Sequence, residues 1–220
     1  SGKGQAQPYQ PHRPASYLRK TFTAPAGESK RLYITAKGLY AAWLNGKRVG
    51  DMVFAPGSFT ADKHLGAQTY DVTALVCDGE NELLIALGHG WYRSPSGVDG
   101  DRDLFGKEVA VLFQLEVDGK AVCVSDDDME ATQCGPIRQN DLQQGEVYDA
   151  RLEGALSGWH SVKTQPNTLP ITGMNTVPIR EQEAFAGRLL RTPNGETVLD
   201  FGQNMAGYVE MKLTAHAGQK

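Results

Sequence analysis

Two groups of residues in this sequence could do chemistry on a ligand. Asp99, Asp101 and Asp103 alternate with Gly100 and Arg102, the spacing with which the first half of a calcium loop turns its carboxylates toward one point. The second half of an EF-hand loop is missing, because Leu104 stands where it needs Gly and Ala110 where it needs a bidentate Glu. Calcium in another loop geometry and a solvated acidic loop are the two readings that remain. Just upstream, Trp91 and Tyr92 lie between Gly88-His89-Gly90 and Ser94-Pro95-Ser96-Gly97. Aromatic faces presented on such a loop stack on the C–H surface of a sugar ring. Trp91, Tyr92 and Arg102 are therefore the candidate carbohydrate-binding residues, and Asp99, Asp101 and Asp103 the candidate metal ligands. The opposing reading makes Trp91 a plug in a β-sheet core.

Other chemistry is missing from the pattern. There is no Gly-x-Ser-x-Gly elbow, His-Glu-x-x-His helix or phosphate-binding loop. His12, His64, His89, His160 and His216 are too scattered to ligate a metal, and no two of the 26 acidic residues stand out as a glycosidase pair. Cys77, Cys123 and Cys134 lack C-x-x-C spacing and read as buried or isolated thiols, with a disulfide between two of them as the alternative. A net charge of −4 offers no field for a nucleic-acid backbone, and no apolar run reaches the roughly 18 residues of a membrane span. The start Ser1-Gly2 reads as a processed end, which leaves the compartment open.

The elements that must position these residues are strands. A chain of 220 residues can bury a sizeable core without staples. Short apolar runs alternate with turn dipeptides, and nothing between them is long enough for a crossover helix. Leu39 to Leu44 runs into Asn45-Gly46, a type I′ hairpin signal, and returns as Lys47-Arg48-Val49. Glu108 to Val117 returns through Asp118-Gly119 by the same logic. Trp43, inside an apolar run, is expected in the core, and Asp126-Asp127-Asp128 in an exposed turn. The expected fold is all-β: an antiparallel β-sandwich over 16–163 (jelly-roll, galactose-binding-like) after a disordered or extended lead over 1–15. Thr164 to Pro170 reads as a linker, and 164–220 as that linker plus the first strands of a second β domain. Thr197–Asn204 and Gly207–Leu213 read as strands without partners, expected to be poorly ordered, to pair with the first domain, or to pair with a neighbouring copy in a dimer through unpaired C-terminal strands.

Longer motifs carry a resemblance. Leu44-Asn45-Gly46-Lys47-Arg48-Val49-Gly50-Asp51, Gln68-Thr69-Tyr70-Asp71-Val72-Thr73, Gly79-Glu80-Asn81-Glu82-Leu83 and Gly88-His89-Gly90-Trp91-Tyr92 occur in this order. Gly145-Glu146-Val147-Tyr148-Asp149-Ala150-Arg151, Gly158-Trp159 and Asp200-Phe201-Gly202-Gln203-Asn204 follow and are the most specific. The whole resembles the N-terminal region of bacterial α-L-rhamnosidases, glycoside hydrolases that invert configuration. The resemblance implies a non-catalytic module of an enzyme acting on terminal α-L-rhamnosides, with the catalytic carboxylates on a following (α/α)-toroid as its partner. It implies a rhamnose-containing glycan as ligand or a purely bracing role, calcium in some relatives with no cofactor strictly required, and a periplasmic or extracellular setting. The alternatives are a sugar-binding sandwich of a β-galactosidase-like hydrolase and a structural interaction module.

Overall fold

The computed structural model describes residues 13–95, 101–154, 156–212, 214 and 216, so most of the expected N-terminal lead lies outside the described residues. In chain order the strands are β1 (Ser16–Ala24), β2 (Lys30–Lys37), β3 (Leu39–Leu44), β4 (Lys47–Arg48), β5 (Leu65–Asp71) and β6 (Gly79–Gly88). The one-turn helix α1 (Gly90–Arg93) follows, then β7 (Ala110–Val117), β8 (Lys120–Val124), β9 (Glu130–Thr132), β10 (Ile137–Asp141) and β11 (Gly145–Tyr148). A 3₁₀ turn (Ala150–Leu152), β12 (His160–Ser161), β13 (Ile171–Gly173), β14 (Arg188–Arg191) and β15 (Thr197–Asp200) complete the order.

Two sheets face each other. One has the order β12-β9-β1-β6-β3-β4 and the other β13-β5-β2-β7-β8. Pairing is antiparallel except at β13, which joins β5 in parallel. Alternation decides which face is buried. Leu83, Ile85 and Leu87 of β6 and Tyr40, Ala42 and Leu44 of β3 turn inward from one sheet, and Leu32 and Ile34 of β2 with Phe113, Leu115 and Val117 of β7 from the other. All are buried in one cluster between the two sheets, which together form a two-layer antiparallel β-sandwich.

The turns follow the residues that specify them. Asn45 and Gly46 have φ of 51° and 76°, and Asp118 and Gly119 have 48° and 74°, the paired positive values a tight hairpin requires. The Asn81 motif also has a local cause. Its side chain is buried between turns, donating to the Cys77 and Gly79 carbonyls at 2.8 Å each and accepting from the Cys77 amide and the Asn45 amide group at 2.8 Å. Asn81→Ala leaves those partners unpaired, with an expected loss of about 2 kcal/mol in urea unfolding. In the Tyr-Asp-Val-Thr motif, Asp71 accepts from the Thr73 amide at 3.0 Å, and the Thr73 hydroxyl accepts from the Lys30 amide at 3.0 Å. Val72 between them is fully buried.

Three expectations change. Trp43 is not in the core: it shares the outer face of β3 with Leu39 and Ala41, half-buried under the Arg48 guanidinium, which lies 5.3 Å from its ring centre. The run is apolar on both faces, so composition does not say which set turns inward. The first compact unit extends to Arg180, because β13 hydrogen-bonds along β5, the Ile179 carbonyl accepts from Val53 at 2.8 Å, and Arg180 pairs with Asp51 at 2.8 Å. Residues after 163 are thus tied to the sandwich rather than serving only as a linker. In the second unit, 181–220, β15 pairs with β14, and 207–212 forms no strand. Leu189, Leu190, Val198 and Leu199 of this hairpin are exposed.

Candidate functional site

The loop after β6 is shaped by two glycines. Gly90 has φ of 54°, and a Cβ there would lie 2.5 Å from Leu39 Cγ, so only glycine lets the chain pass β3 and coil into α1. That single turn sends its two aromatic residues in different directions. Trp91 is half-buried and meets Phe54 edge-on, with ring centres 5.9 Å apart and planes at 71°. Tyr92 is buried and stacks on Phe105 at 6.3 Å. Gly106 makes room for it: a Cβ there would fall 2.2 Å from the Tyr92 hydroxyl. Trp91 therefore offers a ring to solvent and Tyr92 serves as packing beneath it. Phe59, Trp91, Tyr92 and Phe105 line a cleft whose volume is ≈ 10 Å³, room for one water. A sugar ring cannot enter a space of that size.

In the described part of the acidic loop, Asp103 and Arg102 are held in ion pairs. Arg13 grips Asp103 with both guanidinium nitrogens, at 2.7 and 3.1 Å, and Arg93 Nε stands 3.8 Å away. The hydrogen bonds from Arg13 hold the Asp103 carboxyl below its usual range. Both Asp103 oxygens are thus committed to a guanidinium. Arg102 donates to Gln144 at 2.6 Å and pairs with Asp141 at 3.3 Å, its side chain largely buried. It ties the loop to the β10–β11 hairpin instead of facing a ligand. Asp101 is exposed, and Asp99 lies outside the described residues. Among the described residues, no three His, Cys, Asp or Glu side chains converge as a metal site. Asp103→Ala removes a carboxylate that accepts two hydrogen bonds from Arg13 and is expected to cost about 2 kcal/mol in thermal or urea unfolding.

Beneath this loop sits a buried polar knot. His89 is 4% exposed, and its amide donates to Asn140 Oδ1 at 2.7 Å. Asn140 in turn donates to the Arg13 carbonyl at 3.2 Å. His89 Nδ1 and Arg93 Nε are buried without hydrogen-bond partners among the described residues. Burial, with Arg93 and Arg13 nearby, holds the His89 imidazole down to about 4. Phe54, Phe59, Arg13 and Asn140 complete the region from remote positions in the chain, and no local motif marks them.

The Gly145–Arg151 block forms a projecting hairpin. β11 pairs only with β10 among the described residues, and every residue of β11 is exposed, Val147 at 44% and Tyr148 at 49%. Asp149 caps the 3₁₀ turn by accepting from the Arg151 amide, and takes the Arg151 guanidinium at 2.8 and 2.6 Å. That pairing lowers its carboxyl to about 2.

An antiparallel β-sandwich with a shallow aromatic cleft and an exposed β10–β11 hairpin defines a β-module lacking a built catalytic pocket among its described residues. The chain belongs to the alpha-L-rhamnosidase N-terminal domain family, whose profile it matches over residues 26–192. Residues 190–220 match the bacterial alpha-L-rhamnosidase concanavalin-like domain. It is 38% identical to an alpha-L-rhamnosidase of Streptomyces avermitilis over 93% of this chain and 21% of that protein. An alpha-L-rhamnosidase of Formosa agariphila is 32% identical over 94% of this chain and 24% of its own length. Among solved structures, the alpha-L-rhamnosidase of Aspergillus terreus superposes with a TM-score of 0.80 at 33% identity, covering 92% of this chain and 25% of that one. The Streptomyces avermitilis enzyme complexed with L-rhamnose gives 0.78 at 38% identity, covering 89% and 20%. The chain thus spans about a fifth to a quarter of the length of these relatives.

Proposed function

We propose that this chain is the non-catalytic N-terminal module of an α-L-rhamnosidase and braces the catalytic part of a longer protein. The observation that carries this reading is the extent of the match: an N-terminal domain profile passes directly into a concanavalin-like one within a small share of the relatives' length. The electrostatics support it. A glycosidase acid needs a carboxyl whose pKa is raised, whereas the shifted carboxyls among the described residues, Asp51, Asp71, Asp103 and Asp149, are all lowered.

The bracing surface in this reading is the β10–β11 hairpin, in which β11 has no second strand partner among the described residues and Val147 and Tyr148 are exposed. Val147→Asp combined with Tyr148→Ser leaves the melting temperature of the isolated chain unchanged and lowers that of the whole parent protein by several degrees. Equal melting of parent and variant would remove the hairpin from the brace. Calcium has no structural role in this reading, since Asp103 is committed to Arg13. Melting in excess calcium and in chelator should coincide, and a chelator-dependent drop would restore the metal site. The exposed apolar residues of β14 and β15 also favour self-association of the isolated chain, which sedimentation at increasing concentration reads directly.

A further inference from the structure

We propose that the outer face of the β13-β5-β2-β7-β8 sheet carries a binding site for a neutral saccharide, centred on Tyr33. A groove of ≈ 220 Å³ lies there, bordered by Ser29, Arg31, Tyr33, Glu116, Asp118 and Gly119. The cleft beside Trp91, at ≈ 10 Å³, has room for one water, and this groove has more than ten times that space, enough for a single hexopyranose to settle in. It shares no lining residue with the cleft beside Trp91.

Sheet geometry forces the arrangement. Leu32 and Ile34 are locked into the core at 0% and 1% exposure, so Arg31 and Tyr33 must share the opposite face of β2. Register places Arg31 between Glu116 of β7 and Asp71 of β5, and Tyr33 between Gln114 and Thr69. Tyr33 is half-buried at the centre of this polar surface, and Arg31 is exposed. Gln114 Nε2 donates to Glu116 Oε1 at 2.6 Å, which fixes the carboxylate while leaving lone pairs on it to accept. The rim is held as well. The Asp118 carboxylate at the hairpin tip accepts from the Ser29 amide at 2.9 Å and the Glu28 amide at 3.1 Å.

The ligand class follows from these groups. A half-exposed phenol ring offers a face to C–H groups, the guanidinium offers donors, and the carboxylate offers acceptors. A pyranose presents this same mixture, apolar on one face and ringed by hydroxyls that both donate and accept. Charge narrows the choice. Arg31 stands between two carboxylates, so an anion meets repulsion, and a cation meets the guanidinium beside the acidic groups. The site is built into this chain and its test involves no hydrolysis, so it stands or falls apart from the activity of the parent protein.

The test is an amide NMR titration of the chain with methyl α-L-rhamnopyranoside and, separately, methyl β-D-glucopyranoside, both in chelator. The expected result is saturable shifts from at least one glycoside, centred on residues 29–33 and 114–119. Tyr33→Ala should weaken binding about tenfold, and Tyr33→Phe should hold it within about threefold. Arg31→Met reads the same groove should Tyr33→Ala fail to fold. Shifts centred instead on residues 54–59 and 91–92, unchanged affinity in Tyr33→Ala or Arg31→Met, or no saturation by either glycoside would overturn the proposal.

Discussion

Leu83→Ala should destabilise the sandwich by about 3–5 kcal/mol and lower its melting temperature by roughly 10 °C. Leu83 has no exposed surface and sits mid-sheet, opposite Lys20 of β1 and Leu44 of β3. Truncation removes its transfer energy and leaves a cavity between two sheets that cannot close without breaking hydrogen-bonded ladders on both sides. Leu84 next to it, on the outer face, gives the internal contrast. Leu84→Ala should cost about 1 kcal/mol, because the side chain already meets solvent. Equal losses at the two positions would mean that the burial pattern of β6 is inverted.

The second large effect is a loss of stability in mild acid that disappears in His89→Asn. Burial lowers the His89 imidazole from its ordinary 6.5 to about 4. Below pH 6.5 the unfolded chain takes up a proton that the folded chain refuses, so the unfolded state gains and stability falls. The fall continues to about pH 4, where the folded state also protonates, and its total is on the order of 3 kcal/mol. Asp103, whose carboxyl is also lowered by Arg13, loses its contribution only below the ordinary carboxylate range, so the two effects occupy separate windows. Urea unfolding at pH 7, 5.5 and 4.5 on the chain and on His89→Asn separates them. A wild-type stability flat between pH 7 and 4.5 would place the imidazole in water rather than in the buried knot beside Asn140 and Arg93.

Local chemistry made much of this molecule legible before its coordinates. Asn45-Gly46 and Asp118-Gly119 adopt the positive φ values their types favour, and the Asn81 and Asp71 side chains each close hydrogen bonds with backbone groups two to four residues away. The misreadings concern faces and long-range partners. Trp43 and Leu44 are equally apolar neighbours, and only the opposing sheet decides which turns inward. Tyr92 was a plausible sugar platform until Phe105 and Gly106 closed over it. Asp103 and Arg102 resembled ligand-facing residues because their partners, Arg13 and Asp141, lie 90 and 39 positions away. A loop reads as free in sequence when the groups that satisfy it come from elsewhere in the chain. Tyr33 was overlooked for the opposite reason: it looks like one more strand residue until register surrounds it with Arg31, Glu116 and Gln114.

Hydrolysis of an aryl α-L-rhamnoside by the purified 220-residue chain, measured beside the whole parent protein at equal molarity, tests the non-catalytic assignment most directly. The parent is expected to release the aryl alcohol, while the isolated chain gives no turnover above buffer. Turnover by the isolated chain that is abolished by replacing one of its own carboxylates would contradict the assignment and place the active site within these residues.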